Sequence, residues 1–387
     1  MSLLTPTRRL DVIVLSNFLA LGIIISAVPR YLHGQLHASR FETGLATTIY
    51  FVAALLVRPF IGAAVDSVGR RPFIVAPPIV LAGLTTLYTL AHSVPAVAAL
   101  RFFGGGFAAL FFTSVALAAT DLAPPEKRTV ALSRQSVMTY TGFVVGPIVA
   151  DRLIRVNWTV VWLVPALLHA LTTVLALPML ETRTTTTPIG ARRVGFDRRV
   201  LRPAVGILVA NFTFATIVSF LPEYAERHKI AQPGALFAVY AVSVLSVRLL
   251  TGRIADRLGP ALFTVPSMFI GGSGLVLLSF AQVKWQSFAA IAVVGGSLGA
   301  TFPSATAAAL GRVGNEERGA AMGTALGVGD IGQATAGPLV GYLSQQWGFR
   351  WVYLIPSLLA FVGVSLVVTM PEVRAGRARL RAGRASS

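Results

Sequence analysis

About twelve apolar runs, each close to the roughly 20 residues a helix needs to cross a bilayer, follow one another with only short polar breaks between them. Backbone in lipid has to satisfy its own hydrogen bonds, so each run is expected to be helical. The predicted spans are 11–31, 43–64, 72–92, 96–120, 130–151 and 158–180, then 204–226, 234–255, 261–282, 286–310, 319–344 and 349–371. The apolar fraction of 55% is above that of a soluble globular chain. The first run is too long for the apolar region of a signal peptide, so a cleaved leader is not expected. The longest break is Thr-rich at Thr184–Thr187 and Arg-rich from Arg192 to Arg199, the composition of a solvated linker. The reading is an all-α integral membrane protein. It has six helices in 1–180, a cytoplasmic linker over 181–203, six helices in 204–371 and a basic cytoplasmic tail over 372–387.

The two sets of six are related. Tyr50, Val57, Arg58, Gly62, Asp66 and Gly69 recur 190 positions later as Tyr240, Val247, Arg248, Gly252, Asp256 and Gly259. Glu126 and Arg128 return as Glu316 and Arg318, and with one residue of slippage Gly146, Pro147 and Pro165 return as Gly337, Pro338 and Pro356. Chance similarity among apolar runs would not hold charged, Gly and Pro positions in register. The pattern implies two pseudo-symmetric six-helix bundles.

The net charge of +18 raises the possibility of nucleic-acid binding, but its distribution points to topology instead. With alternate breaks on opposite sides and Arg8-Arg9 inside, about 22 of the 33 Lys and Arg fall on the inner side. Both termini are then cytoplasmic, and the basic tail faces anionic lipid headgroups rather than nucleic acid. Without cysteine there is no disulfide or thiolate chemistry. Phosphate-binding loops, zinc-protease motifs and nucleophile elbows do not occur, so neither ATP-driven transport nor an enzyme is expected, and no cofactor or metal is called for.

The turn Gly62–Arg71 resembles the loop between the second and third helices of the major facilitator superfamily, and the resemblance extends over essentially the whole chain. Gly62 and Gly69 permit close helix approach and a tight turn. Asp66 ends a helix, where the dipole disfavours an anion, and needs an outside partner. The resemblance implies that partner is the start of the eleventh helix near Arg318-Gly319, that Arg70 pairs with Asp121, and that the loop, with Arg71, Asp256 and Arg257, forms a conformational latch. Ser67 and Pro260-Ala261 depart from the usual pattern. Gly142, Gly146 and Pro147 resemble the fifth-helix motif of antiporters in the family, although Ala150-Asp151 stands where further glycine is common.

Arg101 is expected about 9 Å below the outer end of the fourth span, at 1.5 Å per residue, where a cation is costly unless paired or hydrated. It resembles the family's fourth-helix arginine. Asp330 lies about 18 Å along its span from Arg318 and about 22 Å from Gln345, deeper than any other carboxylate. A carboxyl group held away from water takes up a proton more readily, so Asp330 is the candidate proton carrier, and Arg101 is the group that tunes it or contacts substrate. Asn17, Asn211, Thr213, Thr301, Ser304 and Gln333 are the candidates for a central substrate cavity.

These residues lead to a multi-pass carrier of the bacterial inner membrane. It is expected to act as a monomer, exporting a small organic molecule against protons by alternating access. Proton-coupled uptake and lipid flipping by the same fold are the alternatives.

Overall fold

The computed structural model describes residues 5–124, 128–182, 197–314, 318–371 and 373–374. The side chains at 59, 62, 63, 66, 128, 129, 133, 251–258 and 318–320 lie outside the description, and with them Gly62, Asp66, Asp256, Arg257 and the Arg318-Gly319 end of the eleventh span. Twelve α-helices account for most of the described residues. They are α1 (Pro6–Gly34), α2 (Arg40–Val68), α3 (Arg71–Leu87), α4 (Val94–Asp121), α5 (Arg128–Ile154), α6 (Trp158–Ala176), α7 (Leu201–Arg227), α8 (Pro233–Leu258), α9 (Pro260–Phe280), α10 (Lys284–Leu310), α11 (Arg318–Trp347) and α12 (Trp351–Val368).

Their starts are written in local sequence. Ser39 and Glu42 cap α2 reciprocally, the Glu42 N–H donating to the Ser39 hydroxyl (3.2 Å) and the Ser39 N–H to the Glu42 carboxylate (2.8 Å). The Asn157 side chain accepts from Val160 N at the start of α6 (2.8 Å). Pro6, Pro72, Pro95, Pro233 and Pro260 stand in first turns, where a missing N–H costs nothing.

Eleven of the twelve helices are long and apolar enough to span a bilayer, counted over the described residues. The exception is α11, where the sequence predicts a span like the rest. Gly327, Gly329, Asp330, Gly332 and Gln333 dilute the apolar character of its middle.

The chain forms two compact units, Met1–Ala191 with Leu221–Ala238, and Arg192–Phe220 with Val239–Ser387. In the first, α1 packs on α5 and α6, α2 on α4, and α3 on α4 and α6. Phe18, Ile74, Phe111 and Val115 pack together towards one end, and Tyr31, Tyr88, Val97 and Trp162 towards the other. In the second, α9 packs on α10 and α12, and α11 on α10 and α12.

The repeat is visible in the packing of each unit. Gly105 on α4 rests against the Tyr50 carbonyl of α2, so closely that a Cβ there would overlap it. Gly295 on α10, 190 positions later, rests in the same way against the Tyr240 carbonyl of α8.

Candidate functional site

In the first unit, Arg101 faces a small cavity together with Tyr50, Tyr88, Asn17 and His169. The residue is 3% exposed. Its Nη2 donates to the Thr47 carbonyl (3.0 Å), and its guanidinium stands 4.4 Å from the centre of the Tyr50 ring. The Tyr88 hydroxyl is close enough to feel the same charge. Among the described residues, the buried Nε–H has no hydrogen-bond partner and no carboxylate pairs with Arg101. A desolvated cation–π contact contributes about 2 kcal/mol, whereas removing a charge from water costs several kcal/mol even after relaxation. The positive charge is therefore only partly compensated by what surrounds it.

Beside it, His169 Nδ1 and Asn17 Oδ1 are 3.1 Å apart, both side chains buried. An amide oxygen only accepts, so Nδ1 carries the proton and Asn17 keeps its N–H₂ group for other partners. The cavity itself has a volume of about 30 Å³, room for one or two water-sized groups.

The second unit has its own cavity, of about 20 Å³, and it is the counterpart of the first. Leu81, Thr85, Gly104 and Ala108 line one; Gly271, Leu275, Val294 and Leu298, each 190 positions later, line the other. The chemistry differs. Tyr88 and Arg101 correspond to Leu278 and Ile291, and His169 to Ala360 once the one-residue slippage is counted; all three replacements are buried. The fold thus accommodates apolar side chains at all three places, and the polar group in the first unit is an addition to it.

The other candidates divide among several places. Thr213 and Thr301 line the second cavity. Thr301 also donates to the Ser267 hydroxyl (3.0 Å), and Ser304 accepts from Thr264 (2.9 Å), so these hydroxyls tie α10 to α9. Asn211 lies against Gly329, where a Cβ would come 2.5 Å from its Nδ2. Asp330, the next residue, is 4% exposed, and Gln333 is half-buried.

At one end of the first unit, Arg70 Nε meets Asp121 Oδ2 at 3.1 Å. Glu181, which sequence reading leaves in the linker, joins them. Its carboxylate accepts from the backbone N–H groups of Arg70 (2.9 Å) and Arg71 (3.1 Å), capping α3. It also fills the space beside Gly69, whose φ of 109° already favours glycine.

At the other end, Arg30 pairs with Asp151 (2.6 Å), whose second oxygen accepts from Gly234 N in the first turn of α8 (2.7 Å). Glu223 binds both Arg40 (2.9 Å) and Arg227 (2.8 Å). Gly142 and Gly146 press α5 onto α1. A Cβ on Gly142 would come 2.5 Å from the Phe18 carbonyl carbon, and one on Gly146 would come 2.7 Å from Gly22. The Pro147 carbonyl in turn leaves no room for a side chain at Gly234.

Two repeated sets of six helices, most of them long and apolar enough to span a bilayer, define the class of membrane carriers made from duplicated bundles. The sequence profile of the Major Facilitator Superfamily matches residues 10–314 and again 203–386, and the chain belongs to that superfamily of transporters. It is 26% identical to an uncharacterised MFS-type transporter of Salmonella typhimurium strain LT2, over 93% of this chain and 95% of that one. An uncharacterised MFS-type transporter of Pseudomonas aeruginosa strain PAO1 is also 26% identical, over 92% and 90%. Among solved structures, the nucleoside transporter NupG superposes with a TM-score of 0.80 at 12% identity, over 95% of this chain and 100% of its own. A human organic anion transporter does so with 0.71 at 16%, over 94% and 100%. At these identities the two structures speak for the fold. The protein is a multi-pass membrane transporter for a small-molecule substrate.

Proposed function

We propose that this transporter is a proton antiporter that exports a small organic molecule, working as a monomer in the bacterial inner membrane with both termini cytoplasmic. The observation that carries the reading is Asp330, buried near the middle of the 30-residue α11, in which Arg318 is the only other charged residue. The other carboxylates buried among the described residues, Asp151 and Glu223, lie near helix ends. Asp330 crosses as the neutral acid in one half of the cycle and as the carboxylate in the other. To drive a two-state carrier from 1:99 to 99:1, the bound proton and substrate together need a preference of about 5.5 kcal/mol for one state.

The turn containing Gly62, Asp66, Gly69, Arg70 and Arg71, with Asp121 and the second copy at Asp256 and Arg257, acts in this reading as the latch of one state. The Arg70–Asp121 pair and the Glu181 cap on α3 support it. Of the antiporter-like Gly142, Gly146 and Pro147, the two glycines supply the tight α1–α5 seam and Pro147 meets Gly234 of α8.

Proteoliposomes with a pH-sensitive dye in the lumen test the coupling. Addition of a transported compound is expected to move protons in the opposite direction. Asp330→Asn is expected to abolish that movement while downhill exchange of the compound continues. Co-directional proton flow would make the carrier a symporter, and unchanged proton flow in Asp330→Asn would remove this residue from the coupling step.

A further inference from the structure

We propose that Arg101 is the docking point for the carboxylate of an organic-acid substrate, which rests on the reading of this chain as a carrier of small organic molecules. Three observations converge on it. The guanidinium is buried and lines a cavity, and its Nε–H lacks a partner among the described residues. Among the described residues, no Asp or Glu lines that cavity or pairs with Arg101. At the counterpart position of the second unit, on the matching helix of the repeat, Ile291 is fully buried, so packing does not demand a cation here.

The chemistry selects the ligand class. Arginine keeps its charge under all physiological conditions, so it cannot escape burial by losing a proton. What balances it has to bring negative charge. A planar carboxylate matches the guanidinium fork, and room for one or two water-sized groups suits its two oxygens. The Tyr88 hydroxyl and the Asn17 amide stand on the same cavity as further donors, and the His169 contact holds the Asn17 side chain in one orientation. Tyr50 covers one face of the cation with its ring. A neutral isostere such as an amide would leave the charge unbalanced and bring N–H donors towards a donor.

The test uses the purified full-length protein and a series of monocarboxylates from acetate to cinnamate, each paired with its amide. Thermal stabilisation is read at neutral pH, since a bound ligand raises the melting temperature by mass action. At least one acid is expected to stabilise the protein while its amide does not. Loss of a charge-assisted contact in Arg101→Ile is expected to weaken that acid on the order of 10- to 100-fold. Ile291 at the counterpart position is the reason this variant is expected to fold. Arg101→Lys, which keeps the charge and loses the fork, serves as the second variant and is expected to bind the acid more weakly than the native protein and more tightly than Arg101→Ile. Absence of stabilisation by any acid, equal stabilisation by the amides, or native acid affinity in both variants would overturn the proposal. The coupling reading fails separately. If Asp330→Asn binds the acid and still moves protons, coupling is lost as an idea and the docking point stands. If a neutral compound drives native proton movement and no acid binds, the reverse holds.

Discussion

At the scale of single residues, the glycines of α1 and α5 show how little space this membrane protein leaves. Gly22, Gly142 and Gly146 bring two helices into backbone contact, where lipid offers no hydrophobic drive and packing has to hold the pair together. An added methyl at Gly146 meets the Gly22 backbone rather than a flexible side chain, so the helices have to part. Gly146→Ala is expected to destabilise by about 1–3 kcal/mol, measured as a lower melting temperature in detergent. Gly83→Ala is the control, because nothing lies within 4 Å of a Cβ there. An unchanged melting temperature for Gly146→Ala would show that the seam relaxes freely.

At the scale of elements, the start of α3 depends on a residue from beyond the end of α6. Glu181 supplies the acceptor that Arg70, as the capping residue of α3, does not. Glu181→Ala is expected to cost about 1 kcal/mol of local stability, the usual value of a cap. Faster hydrogen exchange in the first turn of α3 would report it, and native protection there would contradict the assignment.

The same helix marks what sequence could tell. Depth along a helix can be counted: Arg70 and Asp121 fall at one level, and they pair. Rotation about the helix axis cannot be counted, because it is set by packing against neighbours distant in sequence. For that reason the His169–Asn17 contact, 152 positions apart, and the Asp151–Gly234 contact were not legible. Glu181 was missed because its surroundings read as linker. The span containing Asp330 reads in the sequence as one more apolar run, although glycine and polar residues dilute its middle.

At the scale of the whole molecule, the Thr- and Arg-rich break separates the two sequence repeats, and no apolar run crosses it. Chains ending at Thr187 and beginning at Arg192, made together, are expected to associate and to keep the melting temperature of the intact protein within a few degrees. The end of α7 and the start of α8, from Leu221 to Ala238, cluster with the first unit, which gives the separated pieces contact to recover. Two pieces that each insert and yet do not co-purify would show that covalent continuity is required for assembly.

The matched cavities have a consequence for how this chain can be interrogated. A duplicated gene carries its own control experiment. Where both copies kept the same device, as with Gly105 and Gly295 against the carbonyls of Tyr50 and Tyr240, architecture left no choice. Where one copy has Leu278, Ile291 and Ala360 while the other holds Tyr88, Arg101 and His169, architecture alone does not decide the residue. Writing the second copy's three residues into the first is expected to give a carrier folded by rules its sister half already obeys and stripped of the polar chemistry at those three places.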